Sequence, residues 1–192
     1  MNFYDLDVGS SRAIVVPGTN YLISGSKWGD LYILSRTHPI SLFTMQPLHI
    51  CNPTSDLNIW SFYNGFAFWN NTVYTWCSYD MLRAFNFNSL LSGSPSPAQS
   101  GGSSFGHQGA NLAVSANGNA NGVIWATFPD GSVDGFGTGK LVAYDTANLG
   151  SLYTSNVNGL IFQKWTPPVV ANGRVYVPTA SGQVLAFGLG GH

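Results

Sequence analysis

The sequence feature that most constrains this chain is a pair of short apolar segments that recurs about every 50 residues. In the last copy, residues 175–177 are β-branched or aromatic, residues 180–182 have turn chemistry, and residues 184–187 are apolar again. Such a pattern predicts two strands joined by a tight turn. When the copies are aligned, four residues become equivalent, each 51 residues from the next: Leu22, Val73, Ile124 and Val175.

The second strands of the four copies begin at a second set of equivalent residues, Leu31, Leu82, Leu141 and Val184. A period near 50 built from short strands is typical of a β-propeller, whose sheets must stack because none can bury both faces alone. We predict an all-β fold, a β-propeller of about four four-stranded blades forming one domain over residues 1–192. The predicted blades cover approximately residues 8–58, 59–106, 107–160 and 161–192.

Composition agrees with a chain made of hairpins. Charged residues are only 8% of the sequence, against about 25% in typical soluble domains, and 23 glycines supply turns. No segment shows a convincing helical period, so almost no helix is expected. Residues 89–106, dominated by Ser, Gly, Pro and Gln, are interpreted as a surface linker. Tyr74, Trp125 and Tyr176 share one repeat position and are predicted to pack between blades.

The charge pattern limits the classes of partner. The net charge is −1, and the seven basic residues are scattered, so we expect no nucleic-acid partner. No apolar run is long enough to cross a membrane, so no membrane span is expected. Low charge with abundant Ser, Thr, Asn and Tyr predicts an extracellular or periplasmic protein. The first five residues lack the features of a signal peptide, so either export was never needed or the true N-terminus is missing.

The two cysteines, Cys51 and Cys77, leave two interpretations open. They would be able to pair in an exported protein. Cys77 lies inside a strand pattern, however, and free cysteines are often packed as small hydrophobic residues. Unpaired packing of Cys51 and Cys77 is the favoured interpretation, and the sequence leaves their pairing open.

Three stretches carry a resemblance to a known family. They are GSKWGDLYIL at residues 25–34, AYDT at residues 143–146 with Gly150 and Tyr153 after it, and PPVVANGRVYV at residues 167–177. These stretches resemble the pyrroloquinoline-quinone-like (PQQ-like) β-propeller repeat of the quinoprotein alcohol dehydrogenase-like superfamily. The resemblance covers roughly residues 8–188 and is most similar to the C-terminal part of such propellers.

The resemblance implies a ring larger than these four repeats, because rings of this superfamily usually have seven or eight blades. The chain would then be a partial ring, closed by missing blades or by a partner chain. The dehydrogenases of the superfamily bind PQQ and Ca²⁺ at the ring centre through carboxylates and amides. All eight acidic residues here are aspartates, and none matches a metal or base position of the family. We therefore predict no catalytic residue and no metal site.

The best calcium candidates from the residues themselves are Asp130 and Asp134, which share a loop with glycines. Ca²⁺ needs six to eight oxygen ligands, and this loop lacks the carboxylate spacing of a calcium-binding loop. A solvated hairpin insertion is the favoured interpretation. The four histidines show no metal-ligand spacing, and we expect ordinary surface or hydrogen-bonded histidines. They are His38, His49, His107 and His192.

Two further candidates concern sugars. Asn70 begins the sequence Asn-Asn-Thr, a glycosylation sequon at a predicted hairpin turn. Aromatic residues crowd the segment before it, and exposed rings can bind sugars or a planar cofactor. Trp60, Phe66 and Trp69 form this possible aromatic ligand patch, although aromatic residues are also expected in an inner strand and its crossover.

These observations lead to two hypotheses about function. The first is a secreted, non-catalytic binding or scaffold module that takes a protein or glycan ligand through loops at one end of the propeller. The alternative is part of a quinoprotein-type oxidoreductase, a PQQ- and Ca²⁺-dependent alcohol or sugar dehydrogenase whose active site lies outside this chain. The missing carboxylate cluster favours the first hypothesis.

Overall fold

The fold is nearly all-β and consists of four antiparallel sheets. The computed structural model describes residues 10–37, 47–51, 62–101, 108–131 and 137–188. In these ranges the only helix is α1 (Phe87–Leu91), and it is too short to cross a membrane. The expectation of an all-β chain with almost no helix is therefore confirmed.

The first three sheets have four strands each and the last has three, and in every sheet consecutive strands are neighbours. The first sheet contains β1 (Ile14–Val15), β2 (Tyr21–Gly25), β3 (Asp30–Ser35) and β4 (Leu48–His49). The second contains β5 (Ala67–Trp69), β6 (Thr72–Thr75), β7 (Leu82–Asn86) and β8 (Gln99–Gly101). The third contains β9 (Asn111–Asn117), β10 (Ala120–Pro129), β11 (Gly139–Asp145) and β12 (Ser151–Thr154). The fourth contains β13 (Val169–Ala171), β14 (Arg174–Pro178) and β15 (Val184–Gly188).

The predicted repeat equivalence is confirmed by strand register. Leu22, Val73, Ile124 and Val175 all lie in the second strand of their sheets. Their partners on the third strands are Leu34, Phe85, Tyr144 and Phe187. Each residue of the second equivalent set lies three residues before that partner: Leu31, Leu82, Leu141 and Val184. The blade boundaries between the sheets stay a prediction.

The core consists of three layers of side chains, each between two consecutive sheets. Strand β10 shows how one strand serves two layers. Ile124 and Ala126 belong to the layer against the second sheet, whereas Trp125, between them, packs in the layer against the fourth. Because successive side chains of a strand point to opposite faces, a sheet that is covered on both sides needs apolar residues at both sets of positions. Among the described residues no layer joins the fourth sheet to the first.

Polar side chains join sheets that are not neighbours. Arg12, just before β1, donates to the carbonyl of Phe66 at 3.1 Å and to that of Leu112, in the third sheet, at 2.9 Å. Asn64, just before β5, donates to the carbonyl of Gln108 and accepts from the main-chain N–H of Trp165 at 3.2 Å. We call these the lead-in contacts, because each starts in the segment that leads into a first strand.

The expectation of unpaired cysteines is wrong. Cys51 and Cys77 form a disulfide, with both residues buried and their Cα atoms 5.8 Å apart. Cys51 follows β4 of the first sheet and Cys77 follows β6 of the second, so the bond joins two sheets. A strand-like pattern around Cys77 describes only its own sheet and does not show that another cysteine lies opposite it.

The linker interpretation of residues 89–106 is also corrected in part. Within it, β8 pairs with β7, and Gln99 lies opposite Ala84. The main chain supplies these ladder hydrogen bonds, so an exposed edge strand does not require apolar side chains.

Candidate binding groove

A groove of about 560 Å³ lies between the second and third sheets, where three strand connections meet. The β5–β6 hairpin contributes Trp69, Asn70, Thr72 and Tyr74. The β9–β10 hairpin contributes Asn119, Asn121, Gly122 and Val123. The β11–β12 connection contributes Asp145, Thr146 and Ala147, and Leu152 follows in β12. We call this space the binding groove.

Trp69 is the largest side chain that lines the binding groove and is held in place by the third sheet. Its indole Nε1 donates to the carbonyl of Gly118 at 2.9 Å. On Gly122, a Cβ would lie 2.7 Å from the Trp69 ring and 2.6 Å from the Thr146 hydroxyl. Glycine at position 122 therefore allows the ring to lie directly against the main chain of β10. The ring remains partly exposed and faces the groove.

Asparagines at the rim of the groove follow from the turn chemistry. Asn70 and Asn71 have φ values of 47° and 58°, and Asn121 has 54°. Among non-glycine residues, asparagine accepts this left-handed conformation most readily, and two-residue hairpin turns require it. Asn70 therefore presents its amide at the groove as a consequence of the β5–β6 turn, whereas Asn121 does so from the irregularity near the start of β10, where the pairing with β9 shifts register.

The polar wall of the groove comes from the end of β11. One carboxylate oxygen of Asp145 accepts from the N–H of Ala147 at 2.8 Å, and the Thr146 hydroxyl donates to the carbonyl of Gly122 at 3.0 Å. Burial raises the pKa of Tyr74, a hydrogen bond with Thr72 opposes that shift, and the nearby Asp145 carboxylate adds to it. The Tyr74 hydroxyl is therefore neutral at physiological pH, beside an anionic acceptor.

The groove thus combines two aromatic residues, Trp69 and Tyr74, with one carboxylate, amides and hydroxyls. Apart from Asp145, the lining residues carry no formal charge. Such a set can cover the apolar face of a ligand and accept or donate hydrogen bonds around its edge. It suits a neutral, polyhydroxylated molecule better than an anion.

Two of the residues proposed for sugar contact, Trp69 and Asn70, lie together in this groove. Phe66, from the same predicted patch, is buried between the first and second sheets, where its ring packs 4.8 Å from that of Phe62. Phe66 is therefore a core residue and not a ligand-binding ring, which corrects that part of the prediction. Trp60 lies outside the described residues.

Of the two calcium candidates, the structure describes Asp130, which does not line the groove. Asp130 forms an ion pair with Lys140, with 2.9 Å between Oδ2 and Nζ, and Asp134 lies outside the described residues. His49 pairs with Asp30 at 3.2 Å, and the other three histidines also lie outside the described part. Within that part, no three His, Cys or Asp side chains come together as metal ligands.

Sequence reasoning missed Asp145, Thr146 and Tyr74 as groove residues. Asp145 and Thr146 were noticed only as part of the AYDT stretch of the family resemblance, and Tyr74 only as a packing residue. A usable signal was present, since Asp145-Thr146 follows a predicted strand directly and such residues frequently form turns that expose their polar groups.

Comparison with solved structures supports the fold. The computationally designed Ika4 protein matches over 96% of both chains, with 15% identity and a TM-score of 0.54. The computationally designed Ika8 protein matches 94% of this chain and 45% of its own, with 13% identity and a TM-score of 0.58. The WD40 domain of Toxoplasma gondii coronin matches 93% of this chain and 45% of its own, with 12% identity and a TM-score of 0.56.

These similarities establish the fold alone, because the sequences share so little. The chain has a β-propeller fold and spans just under half the length of the Ika8 protein and of the coronin domain. No protein-family model and no curated protein matches the sequence. The comparisons therefore show the β-propeller fold and do not show membership in the PQQ-like superfamily.

Proposed function

We propose that this chain is a binding module of the β-propeller type, non-catalytic, whose ligand is a glycan held in the binding groove. The observation that carries the proposal is the partly exposed indole of Trp69 in the same groove as the Asp145 carboxylate. Sugar rings present C–H faces that stack on aromatic rings, and their hydroxyls pair with carboxylates and amides. The groove volume of about 560 Å³ lies within the usual range of ligand sites, roughly 300–1,000 Å³.

An extracellular or periplasmic location is part of the proposal. The disulfide between Cys51 and Cys77 supports it, because such bonds persist in oxidising compartments and are rare in the cytosol. The low charge of the sequence points the same way. Asn70 is exposed at a turn, and we propose it as a glycan acceptor in a host that carries out N-glycosylation. Its glycan would compete for the groove, so binding is best measured on protein from a bacterial host.

No specific observation favours the oxidoreductase alternative. Among the described residues, no three His, Cys or Asp side chains come together to hold Ca²⁺. Adding PQQ and Ca²⁺ to the purified chain and assaying dye-linked oxidation of alcohols and sugars tests this point. Turnover above background would overturn the non-catalytic part of the proposal.

The glycan proposal is tested by a glycan array followed by titration calorimetry with the saccharides that bind. We expect Trp69→Ala and Asp145→Asn each to weaken binding about tenfold, which corresponds to about 1.4 kcal/mol. Trp165→Ala is the matched control, because Trp165 is 56% exposed but lies outside the groove. This variant should bind the saccharide with the affinity of the parent chain. Thermal melting of each variant verifies that it is folded.

Two results would overturn the glycan proposal. One is an array on which no saccharide binds at millimolar concentration. The other is a saccharide whose affinity is unchanged in both folded groove variants, which would place the ligand elsewhere on the molecule.

A further inference from the structure

The two end sheets of the stack present faces that match each other. In every sheet, three residues are in register across the first, second and third strands on one face, which in the second, third and fourth sheets is turned to the preceding sheet. We call these the A rows. They are Val15–Leu22–Leu34, Phe68–Val73–Phe85, Val114–Ile124–Tyr144 and Val170–Val175–Phe187.

Residues of the opposite face, one position along, form the B rows. They are Ile14–Ile23–Ile33, Ala67–Tyr74–Ala84, Ala113–Trp125–Ala143 and Val169–Tyr176–Ala186. In the second and third sheets a B row consists of an aromatic residue between two alanines. The fourth sheet repeats this arrangement with Tyr176 between Val169 and Ala186.

Within the chain, each B row packs against the A row of the next sheet. Ile23 and Val73 belong to the layer between the first and second sheets, and Tyr74 and Ile124 to the layer between the second and third. Trp125 and Val175 belong to the layer between the third and fourth sheets. This interface is therefore repeated three times with equivalent residues.

The A row of the first sheet and the B row of the fourth have no such counterpart among the described residues. Val15 is 53% exposed and Val169 is 56% exposed, whereas the equivalent residues of the second sheet, Phe68 and Ala67, are partly buried and buried. At the centre of the A rows, Leu22 is partly exposed, whereas Val73 and Ile124 are fully buried. The residues of both end rows are uncharged and mostly apolar. Exposed apolar faces of this kind mark interaction surfaces.

We infer that the two end rows are covered by a second copy of this chain, with the B row of one copy against the A row of the other. The interface continues the internal stacking, which is the reason for choosing a second copy over an unrelated protein. It is a head-to-tail interface, and such interfaces form rings when the rotation closes. Two copies supply eight sheets.

The first test is the mass of the 192-residue chain in solution by light scattering. We expect twice the chain mass of 20.6 kDa. Val15→Glu and Val169→Glu should each give a folded monomer, because each places a charge in one end row. Val157→Glu is the matched control, since Val157 is 42% exposed outside both rows, and this variant should remain a dimer.

Cysteine cross-linking tests the orientation and does not depend on the charged variants remaining folded. Among the described residues there is no free cysteine, so introduced thiols report their own contacts. A Val15→Cys/Val169→Cys double variant should give a covalent dimer on oxidation, whereas each single variant should stay monomeric on a non-reducing gel. A parent chain that is monomeric at about 100 µM would overturn the inference. A cross-linked single variant, or a ladder of larger species, would overturn the closed head-to-tail ring.

Discussion

The space between the first and second sheets and the space between the second and third use the same repeat positions, yet aromatic rings fill those positions in the first space, whereas the second opens into the binding groove. We call the first of them the sealed space. In the first space, Tyr21 and Phe87 meet edge to face with ring centroids 6.1 Å apart, and Phe68 contacts Phe87 at 5.7 Å. The equivalent positions in the second space are Thr72 and Thr146, by the register of the paired strands.

The difference shows how a site can arise within a repeated fold. Helix α1 starts at Phe87 and places Phe87 and Leu90 in the core, whereas the chain after Asp145 forms a polar turn. Small and polar residues at two repeat positions therefore leave room for a ligand, while the buried layer beneath them is retained. Four predictions address this comparison, in order of decreasing expected effect.

The sealed space should depend strongly on its aromatic residues. Phe87→Ala should lower the free energy of unfolding by about 3–5 kcal/mol, because Phe87 is buried and its removal leaves a cavity. Thr146→Ala at the equivalent position of the groove should cost less than about 1 kcal/mol. Urea unfolding of both variants measures the contrast, and equal losses would show that the two spaces do not differ energetically.

The disulfide should stabilise the sealed side without shaping the groove. It closes a loop with a sequence separation of 26 residues, so replacing both Cys51 and Cys77 by Ala should cost about 3 kcal/mol. Titration of the double variant with a bound saccharide should give unchanged affinity below its melting temperature. A large loss of affinity with little loss of stability would contradict this assignment.

Converting the groove into a sealed space should remove binding. The double variant Thr72→Tyr/Thr146→Phe places in the groove the residues found at the equivalent sealed positions. We expect saccharide affinity to fall more than tenfold, with stability changed by less than about 1.5 kcal/mol. Calorimetry and melting curves decide the outcome, and retained affinity would mean that the ligand does not enter between these hairpins.

The smallest effect concerns alkaline pH. Burial raises the pKa of Tyr144 to about 12, above the unfolded value of 10. The unfolded chain therefore loses this proton first, so the contribution of Tyr144 is complete below pH 10 and is lost as the pH rises towards 12. Tyr144→Phe, which copies Phe85 of the sealed space, should melt with a weaker dependence on pH between 10 and 12. An unchanged profile would contradict the role of Tyr144.

The fold was predictable from the sequence because burial of both faces of a sheet requires apolar residues at the same positions of every repeat. Val73, Ile124 and Val175 keep their spacing since each must face the preceding sheet.

The groove was predictable only in part, because it depends on which hairpins meet. Trp69 and Asn70 were identified as candidates, but they are far from Asp145 along the chain, so the sequence does not show that all three line one groove. Phe66 shows the converse error, since crowding of aromatic residues in the sequence does not reveal which rings are buried. The pairing of Cys51 with Cys77 likewise depends on the stacking of two sheets.

The lead-in contacts have a consequence for how such a chain can change in length. In arrays whose repeats touch only their neighbours, units can be gained or lost with little effect on the rest. Here Arg12 reaches the third sheet, and Asn64 reaches the segment before the fourth. Deleting or inserting a single sheet would separate these partners, so evolution by loss or gain of one repeat is opposed, and the sheets should melt together in a single transition.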